Sequence, residues 1–287
     1  HHMSREDVDV RVVARVRPHN EIEDARGGSV CVFTSDTGVK AKSPDGAFEA
    51  TFDRVFGETS KQEEVFAYVG KPLLDDVFAG YNGAILAYGQ TGSGKTHTMQ
   101  GPSLTDPALM GITPRIVHAL FEKIVEADEA IEFAVKMSCI ELYCERIRDL
   151  LDVTKINLQV RENRKRGIYV DGVTEEFVGS AEEMLQLMAI GAENRAQAAT
   201  GMNKGSSRSH SVVIVTVHQT DSNTGSLRAG KLFLVDLAGS EMVRKTGAAG
   251  QQLEEAKMIN KSLSALGQVI NALTDGRSTH VPYRDSK

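Results

Sequence analysis

The sequence predicts an α/β fold, with strands and helices layered around a mixed β-sheet. Some segments alternate or run apolar over strand length, and others repeat their apolar residues at helical spacing. One strand–loop–helix unit joins the two patterns. No internal repeat or low-complexity linker interrupts the 287 residues. We therefore predict one domain over residues 4–287, after an expression-tag remnant at residues 1–3.

The first elements follow from local pattern. Residues 10–16 alternate β-branched side chains, which predicts a strand. Residues 83–88 form a short apolar run that ends at a glycine-rich loop, which is typical of a buried central strand. Residues 113–125 place their apolar side chains on one helical face, and residues 133–142 alternate again as a strand.

The last third of the chain predicts a hairpin followed by a long helix. Residues 211–220 and 231–236 are rich in β-branched and apolar side chains, and turn-forming residues separate them. This arrangement favours an antiparallel hairpin. From residue 259 to residue 273, apolar residues recur at alternating spacings of four and three, which predicts one seam of a helix.

Charge and composition argue against several classes of protein. The net charge of −6 argues against a general nucleic-acid binder but allows a local basic patch. No segment approaches the roughly 20 unbroken apolar residues of a membrane span, and no secretory signal precedes Val8, so we expect a soluble, cytoplasmic chain. Cys31, Cys139 and Cys144 include no C-x-x-C pair and predict reduced core or turn residues.

The most specific motif is a complete G-x-x-x-x-G-K-T directly after the strand predicted at residues 83–88. In such a loop, backbone N–H groups curl around phosphate oxygens. Lys95 can reach the β- and γ-phosphates, and the Thr96 hydroxyl can ligate Mg²⁺. A glycine-rich surface turn is the plainer alternative, and the full motif in its context argues against it. The motif consists of Gly89, Gln90, Thr91, Gly92, Ser93, Gly94, Lys95 and Thr96.

Two further segments carry candidate nucleotide sensors. Residues 236–241, DLAGSE, follow a predicted strand and have the D-x-x-G form of a γ-phosphate sensor. In such a sensor the carboxylate holds Mg²⁺ through water, and the glycine N–H touches the γ-phosphate. Residues 203–210, NKGSSRSH, concentrate serines around one arginine. Alone, the first segment is better explained as an ordinary turn, and the second as a polar loop whose serine side chains bond to the backbone.

Together these segments resemble the motor domain of the kinesin superfamily, nearest to conventional, N-terminal-motor kinesins. The matching stretches are AYGQTGSGKTHTM at residues 87–99, NKGSSRSH as switch I and LVDLAGSE at residues 234–241 as switch II. RVRP at residues 15–18 and HVPYRDSK at residues 280–287 match as well. The resemblance implies a P-loop NTPase-type three-layer fold, a mixed central β-sheet flanked by helices on both faces. It also implies a domain that is incomplete at its C-terminus.

The resemblance implies microtubule-stimulated ATP hydrolysis coupled to movement along microtubules, with ATP or ADP and Mg²⁺ as cofactors. Ser207 matches the serine that coordinates Mg²⁺ beside Thr96, with Asp236 acting through water. Ser206 matches a serine that positions the attacking water, and Gly239 matches the glycine whose N–H contacts the γ-phosphate. Arg208 and Glu241 match a salt-bridge pair that forms when the switches close on a γ-phosphate. The implied base and ribose contacts are Arg15, Arg17, Pro18, Tyr88 and His97, with a core aromatic as the alternative for Tyr88.

The resemblance also implies a basic face for the acidic surface of tubulin. Taken singly, each of these residues is better explained as a solvated surface charge, and only the set favours an interface. We expect a cytoskeletal location, no nucleic-acid or membrane partner for this domain, and any dimer to form through a coiled coil outside it. The matching residues are Arg161, Arg164, Lys165, Arg166, Lys245, Lys257, Lys261, Tyr283, Arg284 and Lys287.

Two other functions stay open on sequence grounds. A GTPase or small-molecule kinase would use the same phosphate loop. However, a guanine site normally carries N-K-x-D, and residues 260–263 read NKSL. A kinesin-like protein that binds microtubules without walking, as a depolymeriser or a tether, would share every motif above.

Overall fold

The computed structural model describes residues 10–43, 46–164, 167–201, 206–241, 251–275, 277–278 and 280–287. For residues 199–201, 206 and 251–256 the description covers the backbone only. The strands are β1 (Val13–Arg15), β2 (Val32–Thr34), β3 (Gly38–Ser43), β4 (Gly46–Thr51), β5 (Arg54–Phe56), β6 (Gly83–Ala87), β7 (Ile131–Tyr143), β8 (Arg146–Asp149), β9 (Ile156–Asn163), β10 (Gly167–Asp171), β11 (Glu176–Val178), β12 (His210–Asp221) and β13 (Leu227–Asp236). The helices are α1 (Glu21–Ala25), α2 (Gln62–Val65), α3 (Lys71–Phe78), α4 (Lys95–Met99), α5 (Ile112–Val125), α6 (Ala181–Gly201) and α7 (Gln251–Thr274), with a π-helical turn at Phe66–Gly70 and a 3-10 turn at Ser206–Arg208.

The central sheet is mixed, as predicted. Its strands lie in the order β10-β9-β8-β7-β12-β13-β6, and β11 pairs with β7. β6 runs parallel to β13, whereas β12 is antiparallel to both β13 and β7. The predicted hairpin is confirmed, with Ser211 opposite Asp236 and Thr220 opposite Leu227. Two smaller sheets, β1-β5 and β2-β3-β4, lie outside this order.

Helices cover both faces of the central sheet, because successive side chains of β13 point to opposite sides. Leu232 and Leu234 belong to the main core, which also holds residues of α3, α5 and α6. The intervening Phe233 and the following Val235 pack instead in a second cluster with Ile259 and Leu263 of α7. The three-layer arrangement is thereby confirmed, and the carboxyl end of β13 lies between the two helical layers.

The predicted elements are present with shifted ends. The first strand is shorter than residues 10–16, because only Val13–Arg15 pairs with β5. β7 is longer than residues 133–142, because it pairs with β12 from Ile131 onward. None of the three cysteines, all of them described, forms a disulfide. Cys139 is buried, and Cys144 lies in the turn after β7 at φ 47°. Among the described residues, no helix combines the length and apolar character needed to cross a lipid bilayer.

Candidate nucleotide site

The phosphate-loop motif lies between β6 and α4, the strand and helix expected on either side. Gly94 directly precedes α4 and adopts φ 97°, a left-handed conformation that side chains other than hydrogen disfavour. The chain therefore turns from strand into helix within a few residues. The first N–H groups of α4, which lack partners within the helix, are left facing the loop.

Lys95 crosses the mouth of this loop. Its Nζ donates to the carbonyl oxygens of Gly89, at 2.8 Å, and Gln90, at 3.0 Å. Burial lowers the pKa of Lys95 below its ordinary value, while the nearby carboxylates of Asp236 and Glu241 oppose that shift. The ammonium is thus held over the loop by two neutral carbonyl oxygens. Phosphate oxygens, which are charged acceptors, would compete with these carbonyls for the ammonium.

Thr96 and Asp236 meet at the carboxyl end of the sheet. The Thr96 hydroxyl donates to Asp236 Oδ2 at 2.7 Å, and Asp236 is 5% exposed. The other carboxylate oxygen, Oδ1, is buried without a hydrogen-bond partner. A buried carboxylate oxygen needs a donor or a cation, since leaving it unsatisfied is costly. A water bound to Mg²⁺ would supply that donor, and a hydroxyl beside a carboxylate suits an ion that keeps most of its waters.

Arg195 of α6 also lies beside Asp236. Sequence analysis did not identify this residue. Its side chain is 8% exposed, with Nη1 3.4 Å from Asp236 Oδ2 and Nε 3.9 Å from Glu141 Oε1. Nη2 donates to the Ser209 carbonyl at 2.8 Å. One buried guanidinium therefore lies between two carboxylates from different strands and holds the start of β12. No local motif marks this arginine, because its partners are far away in the chain.

Glu241 and Gly239 bring the switch segments against the loop. Glu241 Oε2 accepts from the Thr91 N–H at 2.9 Å, and Oε1 accepts from the Thr91 hydroxyl at 2.7 Å. Burial raises the pKa of Glu241, but the hydrogen bonds from Thr91, together with its own backbone N–H and the charge of Lys95, hold the pKa below its ordinary value. The Gly239 N–H donates to the Ser207 carbonyl at 2.8 Å, so switch I and switch II touch directly.

A side chain at position 239 would not fit this arrangement. A Cβ there would overlap the carboxylate of Glu241 and the hydroxyl of Thr91. Glu241 is thus bonded to the loop rather than to Arg208, its expected partner in the closed site. Ser207 and Arg208 are half-buried in the 3-10 turn, and the side chain of Ser206 lies outside the described part of the chain.

Two of the predicted base contacts, Arg15 and His97, gather around a glutamine that sequence analysis also missed. Gln62 is 6% exposed; its Oε1 accepts from Arg15 Nη1 at 2.7 Å, and its Nε2 donates to the His97 carbonyl at 2.7 Å. Arg15 also donates to Thr98 Oγ1 at 3.0 Å. Burial lowers the pKa of both Arg15 and His97, and the charge of Arg15 lowers that of His97 further. Gln62 therefore holds both predicted base contacts in place.

Arg17 and Tyr88 complete the rim of the site. Arg17 Nε donates to the Gly92 carbonyl of the loop at 2.8 Å, and its Nη1 donates to the Pro18 carbonyl at 2.9 Å. Glu23 accepts from the same guanidinium and holds it in this orientation. Tyr88 is 66% exposed, which contradicts the alternative of a core aromatic.

The predicted basic face is only partly within the described residues. Lys165, Arg166 and Lys245 lie outside them. Lys257 and Lys261 are exposed on α7, Arg164 is exposed after β9, and Tyr283 is 59% exposed.

The closing segment of the chain contacts the turns and hairpin beyond β7. Arg284 Nη2 lies 3.5 Å from Glu162 Oε2, and the Lys287 N–H donates to Glu145 Oε2 at 3.0 Å. Arg161 pairs instead with Asp171 across the β9–β10 hairpin. The closing segment is thereby held against β9 and the turn after β7, and Arg161 and Glu162 point to opposite faces of β9.

Comparison with known proteins identifies close relatives. A family model described as the kinesin motor domain matches residues 15–287. A kinesin heavy chain of Neurospora crassa is 53% identical over 288 residues, covering 99% of this chain and 31% of that protein. Human kinesin heavy chain isoform 5C is 51% identical over 282 residues, covering 98% of this chain and 29% of that protein. A solved structure described as that of a fast kinesin has a TM-score of 0.91 at 52% identity, covering 97% of this chain and 79% of that one. The chain thus spans about a third of the length of the curated relatives.

Proposed function

This chain belongs to the kinesin motor domain family, a family of microtubule-dependent ATPases, and we propose on that basis that it couples ATP hydrolysis to movement along microtubules. The observation that carries the proposal is that the phosphate loop is bonded to switch II, and switch II to switch I. Thr96 bonds to Asp236, Thr91 bonds to Glu241, and Gly239 bonds to Ser207. A loop built this way can register whether a γ-phosphate is present.

In the proposed site, the loop and Lys95 bind the phosphates of ATP or ADP. Thr96 and Ser207 hold Mg²⁺, and Asp236 acts through a bound water at its unsatisfied Oδ1. When bound, Mg²⁺ neutralises charge that builds up on the β- and γ-phosphate oxygens. Arg195 orients the Asp236 carboxylate, since its buried guanidinium lies 3.4 Å from Oδ2.

Two hydrogen bonds must be exchanged when a γ-phosphate arrives. The Gly239 N–H donates its one hydrogen bond to the Ser207 carbonyl, and the Thr91 N–H donates to Glu241. A phosphate oxygen that accepts a hydrogen bond from either N–H displaces the present acceptor, and Glu241 leaves Thr91 once its bond from the Thr91 hydroxyl is also given up. Glu241 is then released toward Arg208, and with Ser206 these groups orient the attacking water. Phosphoryl transfer needs mainly positioning and charge stabilisation, which these groups supply.

The adenine lies, in this proposal, against Arg15 and Pro18, with Tyr88 and His97 beside the base or ribose. Arg17 acts on the loop, because it donates to the Gly92 carbonyl. The exposure of Tyr88 supports a contact role, since its ring is open to an incoming base.

The tubulin face is proposed to include α7, the β9–β10 hairpin and the closing segment. Lys257 and Lys261 are four residues apart on one helix, so both side chains project from the same face. A concentrated basic face can bind an acidic surface despite the net charge of −6. A cytoskeletal location and a dimer through a coiled coil outside these residues belong to the same proposal.

Co-sedimentation with microtubules tests the proposal. Binding should be tight with a non-hydrolysable ATP analogue and at least about tenfold weaker with ADP, a difference of about 1.4 kcal/mol. The double variant Lys257→Glu, Lys261→Glu should lose about tenfold or more in affinity. The matched control is Lys61→Glu with Lys71→Glu, an identical charge change at exposed positions near α2 and α3. Equal binding in both nucleotide states would refute the proposed function.

A further inference from the structure

We propose that His210 is a positioning residue that joins the nucleotide-sensing end of β13 to helix α7, and that microtubule stimulation of the ATPase depends on this joint. The inference deepens the function proposed above and rests on it. It concerns a buried side chain at the first position of β12, to which no role was assigned in the nucleotide site.

His210 makes one polar contact at each ring nitrogen. Nδ1 lies 3.0 Å from the backbone nitrogen of Ala238 in switch II, and Nε2 lies 2.9 Å from the hydroxyl of Ser262 on α7. The Ser262 hydroxyl in turn donates to the Ile259 carbonyl at 2.7 Å. The ring is 6% exposed, so water does not compete for these contacts.

Only one arrangement of protons satisfies all three contacts. The Ala238 N–H can only donate, so Nδ1 must be the acceptor. The neutral ring then carries its proton on Nε2 and donates it to Ser262. The Ser262 hydroxyl uses its single proton on the Ile259 carbonyl. The bridge is therefore directional, and neither the other neutral tautomer nor the imidazolium can form it.

The surroundings favour this neutral ring. Burial lowers the pKa of His210 to about 4, and the charge of Arg195 lowers it while Glu145 and Asp236 oppose the shift. His210 is thus neutral under ordinary conditions, in the form that the geometry requires.

The two ends of the bridge differ in what they do. Ala238 lies between Asp236, which bonds to Thr96, and Gly239, whose N–H contacts switch I. At the other end, Ser262 directly follows the exposed Lys261. A displacement of the backbone at Gly239 therefore reaches α7 through two hydrogen bonds.

Apolar packing alone would not transmit that displacement as directly. Val235, Leu237, Ile259 and Leu263 already hold α7 against the sheet, so the bridge is not needed to attach the helix. Apolar contacts are non-directional, whereas a hydrogen bond fixes the relative position of its partners. We assign the bridge the task of setting where α7 lies relative to switch II.

Removing each arm separately tests the bridge. Ser262→Ala deletes the α7 arm, and His210→Asn keeps an acceptor near Nδ1 but is too short to reach Ser262. Both should lower the ratio of ATPase rates with and without saturating microtubules by about three- to tenfold, with the basal rate within about twofold of wild type. The double variant should be no worse than the more impaired single one, because both remove the same link. Ser29→Ala, at an exposed serine before β2 that lies outside the proposed nucleotide and tubulin sites, is the matched control and should behave as wild type.

The possible results distinguish failure of the bridge from failure of the proposed motor function. If wild type is stimulated and both single variants are stimulated equally well, the bridge has no coupling role and the inference is wrong. If wild type itself shows no stimulation, the proposed function fails, and the coupling fails with it. Nitrogen-15 NMR of the imidazole needs no microtubules: a neutral ring protonated on Nε2 supports the bridge, and protonation on Nδ1 overturns it.

Discussion

Replacing Arg195 with methionine tests how far the site depends on a buried cation. Methionine retains an unbranched apolar chain but removes the charge that lies 3.4 Å from Asp236 and 3.9 Å from Glu141. Asp236 would then be a buried carboxylate whose Oδ2 accepts from Thr96, with its Oδ1 already lacking a partner. Removing one member of a buried pair typically costs about 3–5 kcal/mol. Because both distances are longer than a tight ion pair, we expect the lower end, about 3 kcal/mol.

The assay is urea unfolding at neutral pH, followed by circular dichroism. Combining Arg195→Met with Asp236→Asn should recover about 1–2 kcal/mol, since the uncompensated charge is gone while an oxygen remains for Thr96. Arg228→Met, at an exposed arginine, is the control and should change the free energy of unfolding by no more than about 0.5 kcal/mol. A loss below about 1 kcal/mol in Arg195→Met would refute the reasoning, because the carboxylates would then not need this cation.

Three further predictions follow from the same geometry. Glu241→Ala should bind ATP within about threefold of wild type in a fluorescent-nucleotide titration yet lose about 100-fold or more in steady-state turnover; full turnover would remove Glu241 from the mechanism. Gly239→Ala should lower the microtubule-stimulated rate at least about tenfold, because its Cβ overlaps Glu241 and Thr91, whereas Gly179→Ala, which meets only an ordinary contact at 3.6 Å, should not; equal rates would contradict the packing. The pKa of His210 lies near 4 in the fold against an ordinary value of 6.5, so the unfolded chain binds the extra proton between these values. Its contribution to stability is complete above pH 6.5 and is lost as pH falls toward 4, by about 3 kcal/mol in all; His210→Asn should lack this component in urea unfolding at each pH, and an unchanged profile would contradict it.

Sequence could predict the parts of the site whose conformation and chemistry are determined by residues close together in the chain. One loop contains the turn at Gly94, the ammonium of Lys95 and the hydroxyl of Thr96. The apolar strand directly before this loop indicates that it is a phosphate loop. The hairpin of β12 and β13 was predictable for the same reason, because strand pattern and turn are adjacent.

The parts that could not be predicted depend on partners brought together by the fold. Arg195 acts on Asp236, 41 positions away, and Gln62 holds Arg15, 47 positions away. Neither residue stands in a motif, so no local signal distinguishes it from an ordinary helical side chain. The bond from Glu241 to Thr91 spans 150 positions. Sequence resemblance indicated Arg208 as the partner of Glu241 but not that Thr91 would hold it in this arrangement.

In the function proposed above, the nucleotide site and the proposed tubulin face are coupled, so that microtubule binding controls ATP hydrolysis. The most direct test is the steady-state ATPase rate with and without taxol-stabilised microtubules, with Lys95→Ala as the inactive control. We expect many-fold stimulation of the wild-type protein and none in the control. A wild-type protein that binds ATP and microtubules but hydrolyses ATP at the same rate with or without them would contradict the account.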